Sequence, residues 1–262
     1  MKSPPLPVKT FTRFSDCPNL VHGVFTRSGG VSRPPFDTLN VGFSTGDDPS
    51  AVRENRTRIL SCLGLSRSVF LNQVHGKQIL VLERKDKIDP DLFWSPDHLA
   101  HGTVLSADAV VTDLKQVVLV IQVADCQAVM LADPEKNVIA NVHSGWRGSI
   151  ENIIGRCVGV MVDRFGCDPK QMLAGISPSL GPCCAQFIHY RKEIPEPLWQ
   201  YKLPDRDYFD FWRLSVDQLQ EKGLDLQHIT TMGECTRCRP DRFFSYRQAG
   251  KTGRFACAIG LT

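Results

Sequence analysis

The sequence predicts an α/β protein, a layered sandwich of helices on mixed β-sheets, and three observations carry that expectation. Closely spaced β-branched runs, ADAVVTD, VVLVIQVAD, AVMLAD and VIANVHS between residues 107 and 144, read as the centre of a sheet. The continuously apolar VVLVIQV reads as a strand covered on both faces. Helical and strand runs alternate irregularly, which favours mixed sheets over a strict βαβ barrel. The 262 residues suit one large domain, 1–262, with no linker or internal repeat dividing them.

Element by element, Val21 to Thr26 reads as a strand opening into the loop RSGGVSRPPFDTLNVGFSTGDDP. Loops of this length are usually functional or disordered. Asp48 caps a helix that has Pro49 at its first position and stops near Gly64. VFLNQV and QILVLE supply strand material, and Lys85 to Gly102 is a polar excursion. After the central runs, residues 150–165 carry apolar side chains at helical spacing, with Ser149 as N-cap and Gly166 as the stop. MLAGISPSLGP gives a strand and a tight loop. The remainder predicts a short helix near Arg191 to Gln200, a strand YFDFW and a helix from Leu214 to Lys222. Late strands follow at His228 to Met232, Phe243 to Tyr246 and Phe255 to Ile259.

Composition narrows the function classes. A net charge of +3 without a basic arm or acidic tail gives no reason to expect nucleic acid as a partner. MKSPPLPVKTF places prolines where a signal peptide needs an apolar run, and no stretch has the length of a membrane span. A cytoplasmic protein with no membrane association is the expectation. Ten cysteines spread through a chain of this size read as reduced thiols, and Cys17, Cys62, Cys157, Cys167 and Cys257 as small hydrophobes.

The chemistry concentrates in His75, Cys126 and His143, which lie in LNQVHGK, IQVADCQAV and ANVHSGWRG, each reading as the end of an apolar strand. One soft sulfur and two imidazoles suit zinc or copper. Three protein ligands with a fourth position left open is the arrangement of catalytic zinc. Taken singly, each residue reads equally well as a buried thiol or a strand-end cap. Asp108 and Asp125 are candidates to fix histidine tautomers or to carry protons. The small-residue loop after His143 offers backbone N–H groups to an anion, and Trp146 a face for a flat ring, with core packing as its bland alternative. Arg27 beside Gly29 and Gly30 suits a phosphate or carboxylate, and Asn40, Asn72 and Gln73 offer amides to a sugar or base edge.

Cys183-Cys184 and Cys235-Thr-Arg-Cys238 could form a structural zinc site or a redox pair, but a vicinal pair is a poor half-site. Loop-stabilising thiols are the expectation for these four. The chain has no H-E-x-x-H, no H-x-E with P-C-x-x-C, no P-loop and no G-x-G-x-x-G.

In order along the chain, TRSGGVS, LNVGFSTGDDP with VRENR, LNQVHG, ADAVVTD, ADCQAVMLAD, NVHSGWRG, SPSLGPCC and FFSYR with KTGR resemble the YfiH/YlmD family. These laccase-like proteins were formerly called multicopper polyphenol oxidases and later described as purine nucleoside phosphorylases with adenosine deaminase activity. The resemblance runs from about Val21 to the C-terminus and leaves residues 1–20 as an N-terminal extension. It implies a single α/β sandwich similar to that of certain cysteine-dependent toxin deamidases, with His75, Cys126 and His143 as zinc ligands. It also implies phosphorolysis of adenosine, inosine, guanosine and methylthioadenosine to the base and ribose 1-phosphate or its methylthio analogue, and hydrolysis of adenosine to inosine. In the implied chemistry Arg27 and the His143 loop hold phosphate, and Asp108 or Asp125 moves the proton in deamination. Two departures stand out: Gln127-Ala128 follows ADC where many members have Cys-Pro or similar, and the 85–102 segment is long.

Two other reaction classes use the same residues. Copper-dependent oxidation of phenols needs centres rich in H-x-H pairs, and the seven histidines here include none, although a single Cu2+ fits the ligand types. A cysteine hydrolase would use Cys126 as a nucleophile activated by His143 or His75. The blandest alternative is a non-catalytic binder.

Overall fold

A computed structural model describes residues 5–96 and 105–262. The N-terminal extension contributes a short strand β1 (Val8–Lys9) and one helical turn α1 (Thr12–Ser15). Strand β2 (Leu20–Phe25) and helix α2 (Pro49–Leu63) follow. Asp48 caps α2 by accepting from the Ser50 N–H, and Gly64 ends it with φ 70°, a left-handed conformation that glycine adopts without a Cβ clash. Strands β3 (Ser68–Phe70), β4 (Ile79–Leu82), β5 (Ala109–Thr112), β6 (Val117–Val123), β7 (Gln127–Asp133) and β8 (Val138–Ser144) build the centre. Beyond them lie α3 (Trp146–Ile150), α4 (Ile153–Phe165), β9 (Leu173–Ile176), α5 (Tyr190–Glu193), α6 (Phe211–Glu221), β10 (Ile229–Thr231), α7 (Tyr246–Ala249) and β11 (Phe255–Leu261).

The strands form two mixed sheets, one ordered β1-β2-β11-β6-β3 and the other β10-β9-β7-β8-β5-β4. Pairing is antiparallel except at β3–β6, β4–β5 and β9–β10. Alternation along the strands separates three apolar layers. Leu119 and Ile121 of β6 and Cys257 and Ile259 of β11 meet Ala128 and Met130 of β7 and Ile139 of β8 between the sheets. Val118 and Val120 face the other way, with Ile59 and Leu60 of α2. On the far side, Val129, Leu131 and Val142 pack with Ile154, Cys157, Val158 and Met161 of α4 and Leu219 of α6. The result is a helix–sheet–sheet–helix stack. No helix among the described residues is long and apolar enough to cross a membrane.

Several elements differ from the sequence expectation. Ser149 lies inside α3, and Asn152, in a left-handed conformation (φ 53°), is the residue that caps α4 by accepting from the Gly155 N–H. YFDFW forms no strand: Tyr208 and Phe209 make isolated bridges, and Asp210 caps α6 through the Arg213 N–H. Side-chain capping wins there because Asp210 breaks the extended run. The helix expected over 191–200 divides into α5 and a 3-10 turn, Glu196–Tyr201, at Pro195, which has no N–H to continue it. Phe243 and Phe244 are fully buried in a loop before α7 and not in a strand. The N-terminal extension is integrated in the sandwich, since Phe11 and Phe14 join the core between the sheets. Residues 97–104 of the polar excursion lie outside the described residues.

Candidate active site

Strand register assembles the site. Between β6 in one sheet and β7 in the other, the chain crosses in three residues, Ala124 to Cys126, with Asp125 at φ 88°. Cys126 therefore stands at the seam of the sandwich. Antiparallel pairing sets Ala128 opposite His143, bringing the histidine beside Cys126, and sets Ala109 opposite Val142, bringing Asp108 beside His143. Parallel pairing of β4 with β5 then leads the 72–78 loop over Asp108.

Asp108 is the hub. It is 0% exposed and accepts from the backbone N–H groups of His75 (2.9 Å) and Gly76 (2.7 Å) and, at 3.4 Å, of Val74, while its Oδ1 lies 2.7 Å from His143 Nδ1. Burial works against its charge, but the His143 hydrogen bond and the Gly76 and His75 N–H groups outweigh it and hold the carboxyl below its usual range. Holding a proton on His143 Nδ1 leaves Nε2 for a ligand, and the same carboxylate fixes His75 in a left-handed conformation (φ 59°).

The ligand atoms of His75, Cys126 and His143 all lie within 4.8 Å of one another, with the two imidazoles edge to face at 4.8 Å between centroids. Burial pushes the Cys126 thiol up, yet the His143 charge and hydrogen bonds from His143 and His75 overcome it, bringing it to about 6. Burial likewise opposes an imidazolium at His143, and the Cys126 thiolate and Asp108 overcome it, bringing it to about 9. A thiolate beside two imidazoles is a donor set that suits zinc. Gly145 gives it room: a Cβ there would stand 3.0 Å from His75 Cδ2 and 3.1 Å from Cys126 Sγ. The residues present therefore fit a metal held by one sulfur and two nitrogens, with the remaining side open to a cavity of about 550 Å³.

Of the other residues singled out by sequence, Asn72, Gln73, Asp125 and Trp146 line this cavity. Asn72 donates to Ser106 Oγ, and both ends of the Gln73 amide are taken by the Gln122 backbone. The Asp125 carboxylate accepts from Thr236 Oγ1 and from the Arg247 N–H, both at 2.6 Å, and so ties down the loops around it without orienting a histidine. Arg27 and Asn40 are not among the cavity-lining residues. The Arg27 fork is consumed by Asp37 and the Pro240 carbonyl and stacks over Phe244 at 4.7 Å. Asn40 is fully buried, donating to Thr45 Oγ1 and Asp47 and accepting from the Gly42 and Arg254 N–H groups.

The cations in the cavity wall are Arg247 and Arg254, which sequence reasoning did not assign. Burial lowers the Arg254 guanidinium, against the opposing pull of Cys126 and Asp125. The signal was present in FFSYRQAGKTGR, whose resemblance to the family motif extends to both arginines. Aromatic walls come from Trp146, Phe187, Phe211 and Tyr246, the last 60% exposed. Cys183, Cys184, Cys235 and Cys238 form a second group, their sulfurs also within 4.8 Å of one another.

Comparison with known proteins adds a family. The purine nucleoside phosphorylase YlmD of Geobacillus stearothermophilus is 32% identical over 251 residues, covering 92% of this chain and 89% of its own. The purine nucleoside phosphorylase YfiH of Escherichia coli is 31% identical over 248 residues, covering 90% of this chain and 91% of its own. The crystal structure of a Bacillus licheniformis protein, YfiH, superposes with a TM-score of 0.86 at 26% identity, covering 99% of this chain and 97% of its own. The family model described as multi-copper polyphenol oxidoreductase laccase matches residues 21–262, so the chain belongs to the YfiH/YlmD family.

Proposed function

We propose that this chain is a zinc-dependent purine nucleoside phosphorylase, taking adenosine, inosine, guanosine and methylthioadenosine, and that it also deaminates adenosine, with its 262 residues acting as one catalytic domain. The observation that carries the reading is a His75–Cys126–His143 set opening on one cavity that also holds aromatic faces and two arginines. Such a cavity offers a purine its stacking surfaces and an oxyanion its cations. Relatives named purine nucleoside phosphorylase, at about a third identity, support the same chemistry.

In phosphorolysis a phosphate oxygen bonds to C1′ as the C1′–N9 bond breaks, and the bonding pair leaves with the purine, which takes up a proton. Arg254 and Arg247 replace Arg27 as the groups that hold phosphate. Trp146 and Tyr246 flank the flat base, and Phe187 and Phe211 exclude water behind it. Asp108 works through His143 and the His75 loop, since its oxygens are committed to them. It therefore positions ligands and does not shuttle protons. Zinc, when bound by His75, Cys126 and His143, supplies a Lewis acid at the floor of the cavity.

The test is incubation of metal-analysed, phosphate-free protein with adenosine, with and without phosphate, followed by chromatography. Phosphate-dependent adenine and phosphate-independent inosine are the expected products. Absence of both, with zinc bound at the His75–Cys126–His143 set, would leave the cysteine-hydrolase reading in its place.

A further inference from the structure

The second cysteine group lies where two parallel strands release their loops at the same end of a sheet. Strands β9 and β10 pair in parallel, and the pairing continues past their ends as a bridge between Ser179 and Cys235. The Ser179 N–H donates to Glu234 O at 3.2 Å and the Thr236 N–H to Ser179 O at 3.0 Å. This brings a vicinal pair and a C-x-x-C pair together although more than fifty residues separate them in sequence.

The sulfur spacing discriminates between thiol chemistries. Cys183 Sγ lies 3.7 Å and Cys184 Sγ 3.6 Å from Cys238 Sγ. A disulfide requires about 2.05 Å. Four sulfurs about 2.3 Å from a tetrahedral zinc stand about 3.8 Å apart, close to the two separations from Cys238, and all four lie within 4.8 Å of one another. Cys235-x-x-Cys238 is the usual half-site spacing. Cys184 and Cys235 are buried while Cys183 and Cys238 are exposed, so an ion can enter from solvent.

We propose that Cys183, Cys184, Cys235 and Cys238 bind a structural zinc ion as a closed tetrathiolate site, separate from the His75–Cys126–His143 set. Four S–H protons leave as four Zn–S bonds form, no electron moves, and no oxidant is needed. The ion clamps two loops that wall the cavity. On one, Leu180, Ala185 and Phe187 line the pocket and the Leu180 N–H donates to Asp125 O at 2.7 Å. On the other, Thr236 Oγ1 holds the Asp125 carboxylate at 2.6 Å.

Elemental analysis of purified wild type, Cys126→Ala and Cys235→Ser protein tests this. Two zinc ions per chain are expected in the wild type and one in each variant. Should Cys235→Ser fail to fold, Cys126→Ala decides alone. Its remaining ion, exchanged for cobalt, should show the strong charge-transfer absorption of a tetrathiolate, and alkylation of the four cysteines should require prior chelation. A Cys126→Ala protein without zinc overturns the proposal, as does a disulfide among the four cysteines in zinc-replete wild type. Neither readout depends on any nucleoside being turned over.

Discussion

The His75–Cys126–His143 set and the Cys183–Cys184–Cys235–Cys238 set are both compact groups of side chains able to hold a metal ion, yet their surroundings differ. The first has three ligands drawn from both sides of the sandwich seam, a buried carboxylate behind them and an open cavity in front. The second has four ligands of one kind, on two loops of one sheet end, without a carboxylate or imidazole in the group. Ligand count and the free side separate a site that can polarise a substrate from one that can only tie loops together.

Substitution at Cys126 should have the greatest consequence. Cys126→Ala should bring adenine release from adenosine down to a no-enzyme control, read by chromatography, while the tetrathiolate ion stays in place. Turnover that survived the substitution would make the metal irrelevant to phosphorolysis. Next comes Asp108→Ala, which strips His143 Nδ1 and the 74–76 backbone of their acceptor. Affinity of the open site for zinc should fall roughly 10–100-fold, measured by competition with a chromophoric chelator, and unchanged affinity would remove Asp108 from its positioning role.

Arg254→Gln probes the cation wall of the cavity. Loss of one charge-assisted contact, about 1.5–3 kcal/mol, should raise KM for phosphate roughly 10–100-fold and leave KM for adenosine nearly constant. Arg27→Gln is the control: its fork serves Asp37 and Pro240, so KM for phosphate should not move. The reverse pattern would restore Arg27 as the anion site.

The smallest effect lies outside both clusters. His22 is buried with its Nε2 accepting the Phe11 N–H at 2.7 Å, and burial lowers it from 6.5 to about 4. The unfolded chain takes up this proton first as pH falls. Stability from neutral His22 is thus present above pH 6.5 and is lost as pH drops toward 4. At pH 5 the loss relative to pH 7 is about 2 kcal/mol, visible in urea midpoints. His22→Gln, which keeps an acceptor and does not titrate, should remove that part of the pH dependence, and an unaltered slope would exclude His22 as its source.

What could be read in advance follows the range of the forces involved. VVLVIQV reads as a doubly covered strand, and Val118 and Val120 do face α2 while Leu119 and Ile121 face the other sheet. Asp48-Pro49 and Gly64 bound a helix through local capping, so they were equally legible. That His75, Cys126 and His143 come together could be anticipated because each ends a strand-like segment. Asp108 was named with Asp125 as a partner for a histidine, but the choice between them, and the N–H groups of His75 and Gly76 that Asp108 also accepts, depend on β4, β5 and β8 sharing a register. Arg27 misled for the same reason: a forked cation beside glycines looks like an anion site until Asp37 is seen to occupy it. The clustering of the four cysteines was not legible because the two halves meet only through the parallel pairing of β9 and β10.

On the division proposed, chemistry belongs to the open site and loop clamping to the closed one. Protein stripped of the more weakly held ion by mild chelation, with zinc per chain and adenine release measured on the same samples, tests it most directly. Activity should vanish as the first equivalent leaves and return with one equivalent of added zinc, while the tetrathiolate cobalt spectrum of a parallel sample is unaffected. Full adenine release from protein with no metal at His75, Cys126 and His143 would contradict it.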